Sequence, residues 1–264
     1  MDIRPPNVSV PFRDQVQTLL RRVLGDVLTA PGTLLFAFVL AAGFVIVNEG
    51  LLGSVHVVDT ATGGSYLRFI IPSGVMIATL PSGIAGYLIA QDGEDRYLDR
   101  LLTMPVSRLA IVLAPMLLGG AYSIAVATTV IAFGALLGAY PVTGVLGMLS
   151  MLSIAALWGI SVAGYMTAAA LLTRRIDVTR IVDLCSFPLI YLSPILIPVG
   201  HLQGWLRLIA QINPTTYALG ALRSLMITGW RSTAIVPALA AGGALVCVTL
   251  GAATWAARRA TCRR

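Results

Sequence analysis

Two stretches of this chain, from about Leu109 to Gly138 and from about Val142 to Leu172, contain no charged residue. A bilayer core of roughly 30 Å takes about 20 apolar helical residues to cross, and each stretch exceeds that. Four further runs meet the same requirement: Leu28 to Val47, Phe69 to Ala90, Ile181 to Val199 and Thr233 to Ala257. With 57% hydrophobic and 11% charged residues and a mean hydropathy of +0.87, the chain lies outside the soluble mixture. The expectation is an all-α membrane protein with six transmembrane helices. The fifth run carries Pro188, Pro194 and Pro198, each of which removes a backbone donor, so its outer half is expected to be bent or broken.

Arginine placement gives the orientation. Grouping the amino terminus, 91–108, 173–180 and the carboxyl terminus puts fourteen of the eighteen arginines on one side and leaves Arg68, Arg207, Arg223 and Arg231 on the other. The positive-inside rule makes the first side cytoplasmic, with both termini there. The net charge of +7 is thus a matter of topology, and nucleic acid is not an expected partner. Cys185, Cys247 and Cys262 form no disulfide framework or metal spacing, and His56 and His201 are too few for a cluster. No cleavable signal peptide is evident at the amino terminus. The chain has no lysine, so a phosphate-cradling loop with its lysine is absent and ATP binding is not expected here.

Three segments are not spans. Residues 12–28 place Phe12, Val16, Leu19, Leu20, Val23, Leu24, Val27 and Leu28 on one helical face, which reads as an interfacial helix lying before the first run. Residues 92–105 hold Asp92, Glu94, Asp95, Arg96, Asp99 and Arg100. They predict a short charged helix on the cytoplasmic side, with Asp92 and Arg96 at i,i+4 spacing. Pro105 ends that helix and Ser107 caps the next; an ordinary polar connection is the plainer alternative. Residues 202–228 predict short outer-face interfacial helices, with Asn213 and Pro214 as cap and first turn of the second. These either pack over the bundle or cover an exit path. Asp183 and Arg180 read as interfacial anchoring groups near the start of the fifth run, and Glu49 as reaching water at the outer end of the first.

The order of these elements resembles the permease subunit of ABC-2 type exporters, in the group of daunorubicin and antibiotic-resistance permeases. The resemblance rests on Asp92 through Arg108, similar to that family's acidic cytoplasmic helix with its "leucine-leucine, x, x, proline, x, serine-arginine" ending. It rests also on Ile212 through Arg223, similar to "asparagine-proline, x, x, tyrosine" and a trailing arginine, carried here by Asn213, Pro214, Tyr217 and Arg223. Tyr97 stands where a small residue is common.

The resemblance implies a pathway formed by two permeases, this chain with a second copy or a related permease. Two copies of a separate ABC ATPase that binds MgATP would energise it. It further implies that the charged segment is a coupling helix, with Asp92, Glu94, Asp95, Arg96, Asp99, Arg100 and Pro105 serving ATPase coupling. The expected location is the inner (plasma) membrane of a prokaryotic cell, among membrane lipids. The substrate class expected first is hydrophobic or amphipathic drugs and secondary metabolites, since the runs carry no paired mid-membrane charges that would mark an ion route. A lipid, polyketide-lipid or polysaccharide intermediate is the alternative, and a non-transporting scaffold the alternative of another class. No catalytic residues, cofactor site or metal site are expected in the chain.

Overall fold

The computed structural model describes residues 11–28, 31–54, 65–94 and 107–262. Within them the chain is helical, and five helical stretches are long and apolar enough to cross a membrane: Gly32–Leu52, Tyr66–Glu94, Arg108–Leu136, Gly144–Thr173 and Ser232–Ala260. The expected count of six is therefore corrected to five. The run from Ile181 to Val199 is not a transmembrane-length helix. It is divided between α7 (Ile176–Leu184) and α8 (Ser186–Tyr191), followed by a non-helical stretch and a short 3-10 turn at Val199–His201. The physical reason is proline density. Pro188 lies inside α8, and Pro194 and Pro198 withhold the amides that would extend a helix beyond Tyr191.

Helix α1 (Phe12–Leu28) lies along α5. Its Leu19 and Leu20 pack toward the bundle, while Phe12 and Leu24 stay exposed. Helix α2 (Pro31–Leu52) turns a stripe of Ala37, Ala41 and Val45, fully buried at i,i+4 spacing, toward the bundle, flanked by Leu34, Phe44 and Leu52. Leu35, Phe36, Val39, Ile46, Val47 and Leu51 are exposed.

The centre of the bundle is the chain from Tyr66 to Glu94. It forms α3 (Tyr66–Ala78), a 3-10 turn at Leu80–Gly83 and α4 (Ile84–Glu94). Pro81 interrupts the helical hydrogen bonding there, and the Thr79 and Ser82 hydroxyls donate to the Met76 and Thr79 carbonyls. Glycine lets α4 approach α6 closely. A side chain at Gly86 would place its Cβ 2.7 Å from Met166 Cβ and 2.9 Å from the Met166 carbonyl carbon.

Helix α5 (Arg108–Leu136) starts at the expected cap, Ser107, whose Oγ accepts from the Ala110 amide at 3.1 Å. Helix α6 (Gly144–Thr173) crosses α5 at Gly119, Ser123, Gly159 and Ala163. Small residues spaced by four on both helices bring the backbones together, so that a Cβ on Gly159 would lie 2.6 Å from the Gly119 carbonyl oxygen. After the broken segment come α9 (Gly204–Ile212), α10 (Pro214–Arg223) with a π-turn at Ser224–Thr228, and α11 (Ser232–Cys262), which packs along α6.

Candidate functional site

One end of the bundle gathers most of the described arginines. Arg22 of α1 donates to Asp92 of α4 across 2.8 Å. Glu94, the last residue of α4, accepts from the Ile176 amide at 2.9 Å and so ties the start of α7 to the end of α4. Gln15 accepts from the Ser107 amide at 2.8 Å, fixing α1 to the start of α5. Arg174, just past α6, donates to the Ala260 carbonyl of α11 at 3.1 Å. These bonds place α1, the ends of α4, α6 and α11, and the starts of α5 and α7 at one end. Asp92 and Glu94 thus belong to the end of a long helix, and Asp92 is paired with Arg22. Asp95, Arg96, Asp99, Arg100 and Pro105, with the rest of the expected coupling helix beyond Glu94, lie outside the described residues.

At the opposite end Arg223 is the hub. Its Nη1 donates to the Pro194 carbonyl at 2.6 Å, Nη2 to the Ile195 carbonyl at 2.8 Å and to Ser73 Oγ at 3.0 Å, and Nε to the Phe69 carbonyl at 3.4 Å. Its guanidinium carbon stands 3.5 Å from the centre of the Phe69 ring. Ser73 Oγ donates in turn to the Ile195 carbonyl at 2.7 Å. Prolines leave this stretch without a helical ladder, and a side chain supplies the donors instead. Burial acts to lower the affinity of Arg223 for its proton, and Tyr66 acts against that.

The other outer-face residues have local roles. Asn213 caps α10 by accepting from the Thr215 amide at 3.0 Å, and its Nδ2 donates to the Leu189 carbonyl at 2.5 Å. Pro214 occupies the first turn, and the exposed Tyr217 hydroxyl donates to the Gln211 carbonyl. On α9 the apolar residues Trp205, Leu208 and Ile212 are uncovered, the last 82% exposed.

Along the flank between α2 and the broken segment run two adjoining cavities of about 470 and 370 Å³, sharing Phe36, Leu40, Leu80 and Phe187. The larger continues past Phe44, Val47 and Tyr191, and the smaller reaches Tyr87 and Asp183. Asp183 is half-buried, and Tyr87 donates to its Oδ2 at 2.8 Å. Burial pushes the Asp183 carboxyl up from its ordinary value, while the Tyr87 hydrogen bond works in the opposite sense. Close by, Tyr165 and Ser186 are hydrogen-bonded through their hydroxyls.

The sequence pattern marks Asp183 as an interfacial anchoring group and gives no sign of Tyr87 or Ser73. No local signal marks them, since they are neighbours only through the folding of α4 and α3 against distant segments. The two outer-face residues that interact across the fold, Asn213 and Arg223, reach the same broken segment, one at Leu189 and the other at Pro194 and Ile195. Among the described residues no group of three His, Cys, Asp or Glu side chains comes together as a metal site.

Residues 14–227 match the family model described as ABC-2 type transporter. The chain is 26% identical over 220 residues to a probable doxorubicin resistance ABC transporter permease protein, DrrC, of Mycobacterium tuberculosis, covering 81% of this chain and 76% of that protein. It is 30% identical over 185 residues to the daunorubicin resistance ABC transporter permease protein DrrB1 of Streptomyces coeruleorubidus, covering 67% of this chain and 64% of that protein. Members of this family supply the membrane path of an exporter and leave ATP use to a separate ATPase subunit, which agrees with a chain that has no lysine. With a multi-pass helical bundle and a family match over most of its length, the chain belongs to the ABC-2 type transporter family and is a membrane permease component of an ABC exporter.

Proposed function

We propose that this permease exports hydrophobic or amphipathic drugs or secondary metabolites from the cytoplasm or inner leaflet. In this reading it works with two copies of a separate ABC ATPase and with a second copy of itself or a related permease. The observation that carries the substrate class is the groove beside α2, long, apolar and open along the flank of the bundle. The names of the two resistance permeases agree with it. Apolar bodies gain about 25 cal/mol per Å² on leaving water for such a surface, whereas a sugar phosphate or ion would lose its hydration there.

The arginine-rich end is assigned to the cytoplasm of a prokaryotic cell, with both termini on that side. Support comes from the bonds that bring α1 and the end of α11 to one end of the bundle. Residues 92–105 are the contact for the ATPase, and Glu94 would pass its motion to α7 through the Ile176 amide. Asn213, Pro214, Tyr217 and Arg223 belong to the outer face, where α9 lays its uncovered apolar residues in the interface.

The test is reconstitution of the permease with its ATPase in inverted vesicles, followed by MgATP-dependent accumulation of doxorubicin and a panel of amphipaths. Accumulation should require both subunits. ATP hydrolysis with no movement of any compound in the panel would remove the reading. Replacing Glu94 and Arg100 together by alanine should weaken ATPase capture. Pro105→Ala should leave capture intact and lower transport per ATP hydrolysed. Parental behaviour from both variants would return the segment to a polar connection.

A further inference from the structure

The groove is apolar and aromatic over nearly all its length, and a surface of that kind accepts apolar bodies without choosing among them. Among the described residues, Asp183 is the one charged side chain lining its two cavities. It sits at the end of the smaller cavity with Tyr87, and the rings of Phe36 and Phe187 line the same space. Its Oδ2 accepts from Tyr87, which leaves most of the carboxylate's acceptor sites open. Arg180 stands one turn earlier on α7, close enough to act on the Tyr87 hydroxyl, but it is exposed and forms no ion pair with Asp183. Among the described residues no guanidinium neutralises this carboxylate.

We infer that Asp183, with the aromatic end of the groove, is a recognition site for the positively charged head of an amphipath, selecting organic monocations over neutral compounds of the same shape. The inference rests on the reading of the chain as a permease for amphipathic compounds and goes beyond it by naming the charge of the substrate. Three features of the site agree. The apolar length of the groove takes the body of the ligand. The carboxylate at its end meets the head, in surroundings where an unpaired charge costs more than a paired one. The aromatic rings offer their negative faces to a cation of low hydration such as a quaternary ammonium. A neutral isostere keeps the first contribution and loses the other two, so discrimination arises where the apolar wall supplies none.

The complex of permease and ATPase in lipid nanodiscs is titrated with trimethylammonium-diphenylhexatriene and with its tert-butyl isostere, empty nanodiscs giving the lipid background. The parent should hold the cation about tenfold more tightly than the isostere. Asp183→Asn should abolish that ratio by weakening the cation alone, and Asp183→Glu should retain a preference. Tyr87→Phe, which removes the hydrogen bond but leaves the carboxylate, should also retain it, as should Asp177→Asn at an exposed acid of the same helix outside the groove. Equal binding of the two probes by the parent overturns the inference, as does a preference that survives in Asp183→Asn.

A second measurement needs no variant. An amine-bearing analogue coupled by a water-soluble carbodiimide should form its amide at Asp183, and amides found only elsewhere would count against the site. Charge preference in binding without ATP-driven movement of either probe would remove the export reading and leave the recognition site standing. ATP-driven movement of both probes with equal apparent affinity would do the reverse.

Discussion

The chain from Tyr66 to Glu94 and the helix Ser232–Ala260 are equal in length, yet they meet opposite fates. Of the most apolar stretch in each, 88% is buried inside the protein in the first and 11% in the second. Hydropathy would suggest the reverse, because the buried segment has the lower value, 1.5 against 2.0. Lipid tails are as apolar as leucine, so no hydrophobic force sorts one helix inward. Close backbone approach and hydrogen bonds do the sorting. The buried segment has Gly74 against Val45, Gly83 and Gly86 against Met166, and Ser73 tied to Ile195. In α11 the buried residues are Thr249 and alanines, among them Ala253, Ala256 and Ala257, while Val236, Leu239, Val248 and Trp255 are exposed.

The largest effect expected from this contrast is in labelling by a lipid-soluble carbene reagent. Val236, Leu239 and Val248 should be modified many-fold more than Ile70, Ile71 and Val75, which are buried. Equal modification of the two sets, read by mass spectrometry of peptides, would break the comparison.

Next comes a matched pair of glycine substitutions. Gly86→Leu drives a side chain into Met166, including its backbone. It should cost about 3 kcal/mol or more, seen as loss of folded protein in thermal unfolding in detergent. Gly251→Leu, where nothing lies within 4 Å of the added Cβ, should change stability by no more than about 0.5 kcal/mol.

Polar groups should follow the same division with smaller effects. Arg223→Met strands the Pro194 carbonyl and leaves that of Ile195 with Ser73 alone, and should cost about 2 kcal/mol in that unfolding measurement. Arg231→Met, at an exposed position, should leave the midpoint unchanged. The smallest loss expected of a hydrogen-bonding group is from Tyr66→Phe. Its hydroxyl reaches the Leu196 carbonyl only at 3.5 Å, so about 0.5 kcal/mol is the expected loss. A larger loss from Tyr66→Phe than from Arg223→Met would show that the guanidinium is not what holds the extended stretch.

Legibility differed from element to element for physical reasons. The caps at Ser107 and Asn213 could be read because a cap depends on residues two or three positions away. The prolines of the fifth run announced a break, yet a run of transmembrane length was still expected from Ile181 to Val199, where the structure has two short helices and an extended stretch. Hydropathy counts apolar residues, and it does not register that several of them lack the amides a helix needs. Asp92 is bonded to Arg22 on another helix, a contact that no local spacing announces, while Arg96, four residues on, lies outside the described residues.

Sequence by itself determined that the chain enters a membrane, where its five long helices lie, where one long and one short helix begin, and which end carries the arginines. These follow from side-chain transfer energies, local backbone chemistry and the count of charges between apolar runs. Tertiary structure alone decided that the helix from Tyr66 to Glu94 is central and α11 peripheral, that Arg223 holds the proline-rich stretch, and that Asp183 meets Tyr87 beside an apolar groove. Those outcomes depend on which surfaces fit at a distance of a few ångströms, and side chains from positions such as 87 and 183 are brought that close only when helices distant in sequence have packed.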